Sequence, residues 1–144
     1  MPYISCRELV SHSSEQMYNL VNDVSSYSEF LPGCVESQIL ESSSHQMIAM
    51  LEIAKAGIRK KFTTHNTLIS NKSISMHLVD GPFKELVGAW NFTELSFNTC
   101  YIEFQLHFEF SSKSVEVMFG SFFKRFTSNI VKAFISHAKK TYQI

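Results

Sequence analysis

The chain has 144 residues, 44% of them hydrophobic and 18% charged, and its formal net charge is zero. That size fits one domain, residues 1–144, around one core, and the charge balance argues against a globally basic nucleic-acid binder, so no DNA partner is expected. No apolar run approaches the roughly 20 residues of a membrane-spanning helix. No secretory signal or Arg-rich presequence opens the chain, so the expected location is the cytoplasm.

Residues 2–10 predict a first strand. Ser13 and Gln16 then form a capping-box pattern, and Met17, Leu20, Val21 and Val24 follow at helical spacing, predicting a helix over about 14–23. Ser26 and Glu29 repeat the capping pattern before Tyr27, Phe30 and Leu31, and Pro32-Gly33 ends that second short helix.

From Cys34 the apolar period becomes two. Residues 34–42 and 46–54 predict a hairpin around Ser43, Ser44 and His45. Lys55-Ala56-Gly57 turns the chain into 58–69, where Ile58, Phe62, Asn66 and Leu68 share a side. Ile74, Met76 and Leu78 mark a short strand that ends at Asp80-Gly81-Pro82. Leu86, Gly88, Trp90 and Phe92 mark the next, and Ser96-Phe97-Asn98 turns it. Cys100, Ile102, Phe104, Leu106, Phe108 and Phe110 alternate with mostly polar residues, the pattern of an antiparallel strand with one wet face.

From Lys113 to Tyr142 the apolar residues recur every three or four positions: Val115, Phe119, Phe122, Phe126, Ile130, Phe134 and Ala138. This predicts one amphipathic helix of about thirty residues, roughly 45 Å long at ~1.5 Å per residue. Lys124, Arg125, Lys132, Lys139 and Lys140 occupy much of its other side. The expected fold class is α+β: a curved antiparallel sheet of six or seven strands, wrapped around a long C-terminal helix, with two small helices after the first strand. A straight helix crossing a twisted sheet leaves either a packed interior or a hollow. Gly88 and Gly120 suggest a hollow, and Trp90, Phe104, Phe122, Phe123 and Phe126 are its expected walls. Cys6, Cys34 and Cys100 are far apart in sequence and odd in number, and are expected to be reduced thiols.

Asp23-Val24-Ser25-Ser26-Tyr27, Phe30-Leu31-Pro32-Gly33-Cys34, Gly81-Pro82-Phe83, Leu86, Gly88, Trp90, Phe92, Phe119-Gly120, Phe123, Ala133-Phe134 and Ala138 form a combination. It resembles the coenzyme Q-binding branch of the START-like superfamily (SRPBCC, polyketide cyclase/dehydrase), including its bacterial ribosome association toxins. The match covers nearly the whole chain. One departure is Ser28, where the family usually has proline after the tyrosine. The resemblance implies a helix-grip fold with a hydrophobic cavity, and two activities. One is non-enzymatic binding of ubiquinone or a related polyprenyl lipid in support of respiration or quinone synthesis. The other is binding to the large (50S) ribosomal subunit so that subunit joining is blocked, as the toxin of a toxin–antitoxin pair.

For the first activity the expected contacts are Tyr27, Phe30, Leu31, Leu51, Phe62, Met76, Leu78, Trp90, Phe104, Leu106, Phe122, Phe123 and Phe126, with 27–32 as a lid. Trp90, Tyr27 or His77 would serve as donor to a ring carbonyl. No cofactor is expected beyond such a bound ubiquinone-like lipid. For the second activity, Lys55, Arg59, Lys60 and Lys61 form a candidate patch for rRNA phosphates, or for anionic head groups during a transient membrane contact. The residues argue against an enzyme. His12, His45, His65, His77, His107 and His137 show no metal-ligand spacing and no nucleophile motif is present. Asp80 and Glu52, expected near the cavity mouth, are isolated carboxylates.

Overall fold

The computed structural model describes residues 3–142; Met1, Pro2, Gln143 and Ile144 lie outside the described residues. In chain order the elements are β1 Tyr3–Val10, α1 Ser14–Asn22, a 3-10 turn Val24–Ser26 and α2 Tyr27–Phe30. Then come β2 Cys34–Ser42, β3 Gln46–Lys55, β4 Ile58–Ile69, β5 Ser73–Asp80, β6 Phe83–Ser96, β7 Thr99–Phe110, α3 Lys113–Ser128 and α4 Ile130–Thr141. The strands form one antiparallel sheet in the order β1-β7-β6-β5-β4-β3-β2. Short connections make β2 to β7 a meander, and β1 closes onto β7, with Cys6 opposite Phe104.

Alternation decides which side of the sheet is dry. Cys100, Ile102, Phe104, Leu106, Phe108 and Phe110 are all buried, whereas Gln105, His107 and Glu109 are exposed. The buried face is covered by α3 and α4.

The Ser13 capping box forms in full: Gln16 N–H donates to Ser13 Oγ at 3.1 Å, and Ser13 N–H donates to Gln16 Oε1 at 3.0 Å. The one expected at Ser26 does not. Ser26 Oγ donates instead to Asp23 Oδ2 at 2.7 Å, because a 3-10 turn occupies the approach to α2 and directs the hydroxyl backwards.

The expected single C-terminal helix is divided at Asn129. Thr127 Oγ1 donates to the carbonyls of Phe123 (2.9 Å) and Lys124 (3.2 Å), a back-bond that bends helices. Asn129 then leaves helical geometry at φ −100°, ψ 0°. The two pieces, about 24 and 18 Å long by the helical rise, follow the curved sheet more closely than one straight rod.

Gly88 and Gly120 do not open a hollow. A Cβ at Gly88 would lie 2.8 Å from Leu106 Cδ1 and 3.1 Å from Met76 Cε, so neighbouring side chains already fill that space. At Gly120 it would meet the Phe110 ring at 3.5 Å, an ordinary contact.

Candidate functional site

Two aromatic clusters fill most of the gap between sheet and helices. One joins Phe62, Phe83, Phe108, Phe110, Phe119 and Phe123; Phe123 sits 4.8 Å from Phe83 and 4.9 Å from Phe108 between ring centroids. The other joins Tyr27, Phe30, Phe134, Trp90 and Phe104. At the seam between them lies a cavity of about 70 Å³.

Of the expected contacts, Tyr27, Leu51, Phe62, Met76, Trp90, Phe104, Leu106, Phe123 and Phe126 line this cavity. Phe30, Leu31, Leu78 and Phe122 do not. Phe30 stacks on His137 at 3.8 Å. Leu78 is half-buried near Gly81. Leu31 and Phe122 face a separate, more open recess of about 280 Å³ with Pro32, Gly33, Lys55, Arg125 and Asn129. Phe126 belongs to both linings and is the partition between them. The cavity is smaller than the ~300–1,000 Å³ typical of small-molecule sites; cavity and recess together fall within that range.

Thr64, Asn66 and Thr127 also line the cavity and were not among the expected contacts. Each is buried, at 7%, 5% and 4% exposure. The signal for Asn66 was its place on the apolar side of β4 beside Phe62 and Leu68, since a buried polar residue is the informative exception. The expected carbonyl donors fare differently. Tyr27 Oη already donates to the Val21 carbonyl, and burial raises its phenol pKa well above the ordinary value. His77 is exposed on the outer face. Trp90 is 2% exposed in the cavity wall.

The expected basic run is split by strand alternation. Lys60 shares the inner side with Ile58 and Phe62, while Arg59 and Lys61 point outward. Arg59 grips Glu52 through Nη2–Oε1 at 3.0 Å and Nε–Oε2 at 3.3 Å. That hydrogen bond, with the guanidinium charge, holds the Glu52 carboxyl below the usual range. Glu52 therefore belongs to the outer face, not the cavity mouth, and Asp80 is exposed. Lys55 joins Arg125 at the recess.

A longer basic surface lies on the helices. No Asp or Glu follows Glu116 in the sequence, whereas Lys124, Arg125, Lys132, Lys139 and Lys140 do. All five are exposed. Lys124 and Arg125 lie on α3, and Lys132, Lys139 and Lys140 on α4 beyond the break at Asn129. None of the five pairs with a carboxylate among the described residues.

Burial raises the thiols of Cys34 and Cys100 to about 11; all three cysteines are free. Among the described residues no group of three or more His, Cys, Asp or Glu side chains is arranged to hold a metal, and no helix is long and apolar enough to cross a membrane.

Residues 10–135 match the model of a family described as polyketide cyclase / dehydrase and lipid transport. The chain is 57% identical over 142 residues to the ribosome association toxin RatA of Escherichia coli strain K12, covering 99% of this chain and 90% of that one. It is 28% identical over 139 residues to a mitochondrial coenzyme Q-binding protein of Drosophila melanogaster, covering 93% of this chain and 57% of that one. Among solved structures, the Zhui aromatase/cyclase from Streptomyces sp. R1128 superposes with a TM-score of 0.86 at 14% identity, covering 99% of this chain and 96% of that one.

Proposed function

This chain belongs to the polyketide cyclase / dehydrase and lipid transport family, and we propose that within it the chain is a non-enzymatic protein that binds the large ribosomal subunit and hinders subunit joining. The observation that carries this reading is 57% identity, over nearly the whole chain, to a protein named for ribosome association. The acid-free stretch after Glu116 supplies the chemistry. An exposed, unneutralised set of cations suits rRNA phosphates, and binding of that kind releases counterions and is salt-dependent. Such a role belongs in the cytoplasm, with ribosomes.

Co-sedimentation with purified large subunits tests this. The triple change Lys124→Glu, Lys132→Glu and Lys140→Glu is expected to weaken association and to flatten its salt dependence, by about one unit of log–log slope for each phosphate that is no longer neutralised. Arg59→Gln with Lys61→Gln should change it far less, because Glu52 already engages Arg59. Unaltered co-sedimentation of the folded triple variant would remove the helix face from this role.

A second reading is favoured by one observation: a mostly apolar cavity separated by Phe126 from an open recess. It is the holding of an apolar small molecule. A quinone head group fits this reading better than a whole polyprenyl quinone. The cavity has no room for a tail, although each buried methylene would contribute ~0.8 kcal/mol, so a tail would have to run out through the recess.

A further inference from the structure

We propose that Asn66 is the polar anchor of this cavity, and that its amide Nδ2 donates to the carbonyl oxygen of a flat, uncharged apolar ligand. The proposal rests on the apolar-ligand reading and specifies which ligand chemistry the cavity takes. Strand β4 sets Asn66 on the inner face with Phe62, Thr64 and Leu68, where it is 5% exposed. Thr64 Oγ1 donates to Asn66 Oδ1 at 2.8 Å. In this orientation of the amide Nδ2 has no acceptor among the described residues. Nδ2 is not sealed in the core either, since the one sealed, unpartnered side-chain polar atom among the described residues is Asn22 Oδ1. Nδ2 therefore faces the cavity that Asn66 lines.

The other polar groups nearby are committed. Thr127 Oγ1 is spent on the Phe123 and Lys124 carbonyls, and Tyr27 Oη on Val21. No charged side chain lines the cavity, so a carboxylate or phosphate would enter without a counter-charge. A buried amide donor is costly to leave unmade, and a carbonyl satisfies it without bringing a charge. Phe126 lines both the cavity of about 70 Å³ and the recess of about 280 Å³, so a rotation of its ring would join them and give a ligand ring space to enter.

The test uses the purified full chain and three probes of one shape: acetophenone, ethylbenzene and 1-phenylethanol. Affinities come from ligand-observed NMR in sealed tubes. Trp90, the single tryptophan and part of the wall, reports occupancy through its emission. In Asn66→Leu the acetophenone-to-ethylbenzene affinity ratio is expected to fall about three- to tenfold, the net worth of one hydrogen bond. Taking the ratio cancels general loosening of the site. Asn66→Ala serves if the leucine variant does not fold, with folding checked by thermal melting. Both hydrocarbon and ketone binding with an unchanged ratio would overturn the Asn66 assignment and leave the apolar-ligand reading standing. A larger loss for 1-phenylethanol than for acetophenone would mean that the amide oxygen faces the cavity, and would overturn the donor assignment. Binding of no probe by the wild-type protein would overturn the apolar-ligand reading itself. Failure to find a prenylated quinone in an organic extract would touch only the quinone version of it.

Discussion

Phe123→Ala is expected to cost about 3–5 kcal/mol of stability, the range for removing a fully buried phenyl ring. Phe123 is 1% exposed and its ring meets Phe62, Phe83, Phe108, Phe110 and Phe119. It also borders the cavity, so truncation would add to a space already present. Four of the five surrounding rings, all but Phe119, are held by strands of one sheet and cannot readily close in, which places the expected cost at the upper end. Urea unfolding with the slope held in common would read it. A loss under about 1.5 kcal/mol would mean that the cluster collapses around the gap and that the interior is softer than its ring packing implies. Phe122→Ala should cost much less, because Phe122 is only half-buried and faces the recess.

Gly81→Ala should come next, at about 2–4 kcal/mol from backbone strain and overpacking together. Gly81 has φ +151°, and a Cβ there would lie 2.7 Å from Phe62 Cβ and 3.2 Å from Phe62 Cα. Backbone cannot swing aside as a side-chain tip can. The register between β4 and β5 shifts at this point, from Thr63 opposite Asp80 to Thr64 opposite Leu78, so the close approach is part of how the sheet bends. Gly57→Ala is the control. Its φ is +85° with nothing within 4 Å of the added carbon, and it should cost only about 1 kcal/mol of backbone strain. Equal losses at the two positions would show that conformation alone, and not the close approach to Phe62, sets the cost.

The fold was legible where one physical rule acts alone. Strict alternation from Cys100 to Phe110 leaves no other register that keeps those rings dry, and that strand formed as expected. The Ser13–Gln16 capping pattern needs only local geometry and also formed. The break at Asn129 was not legible, because Phe126, Ile130 and Phe134 keep four-residue spacing straight across it. It arises from the Thr127 back-bond and from fitting a curved surface, neither of which changes the apolar period.

The candidate site followed the same division. Wall residues could be read from the inner-face pattern, but Gly88 could not, since whether a missing side chain leaves a void depends on how far Met76 and Leu106 reach. Asn66 was visible on the apolar side of its strand, yet which of its amide atoms is engaged depends on Thr64 two residues away. The cations Lys55, Arg59, Lys60 and Lys61 stand within seven residues, although a strand sends neighbours to opposite faces. The cations of α3 and α4 are dispersed in sequence and lie on two helices, so no run of more than two adjacent charges marks them.

That distribution gives the chain a charge asymmetry along its length which its zero net charge conceals. All thirteen acidic residues precede position 117, and five of the thirteen basic ones follow it. Residues after Glu116 therefore carry a net charge of +5, and those up to it −5 (eight cations against thirteen acids), and an approaching polyanion is drawn to the exposed cations of α3 and α4. On ion-exchange resins at pH 7 and low salt it should be held weakly by both sulfonate and quaternary-ammonium beads, the first gripping the cations of α3 and α4 and the second the acidic residues that precede them.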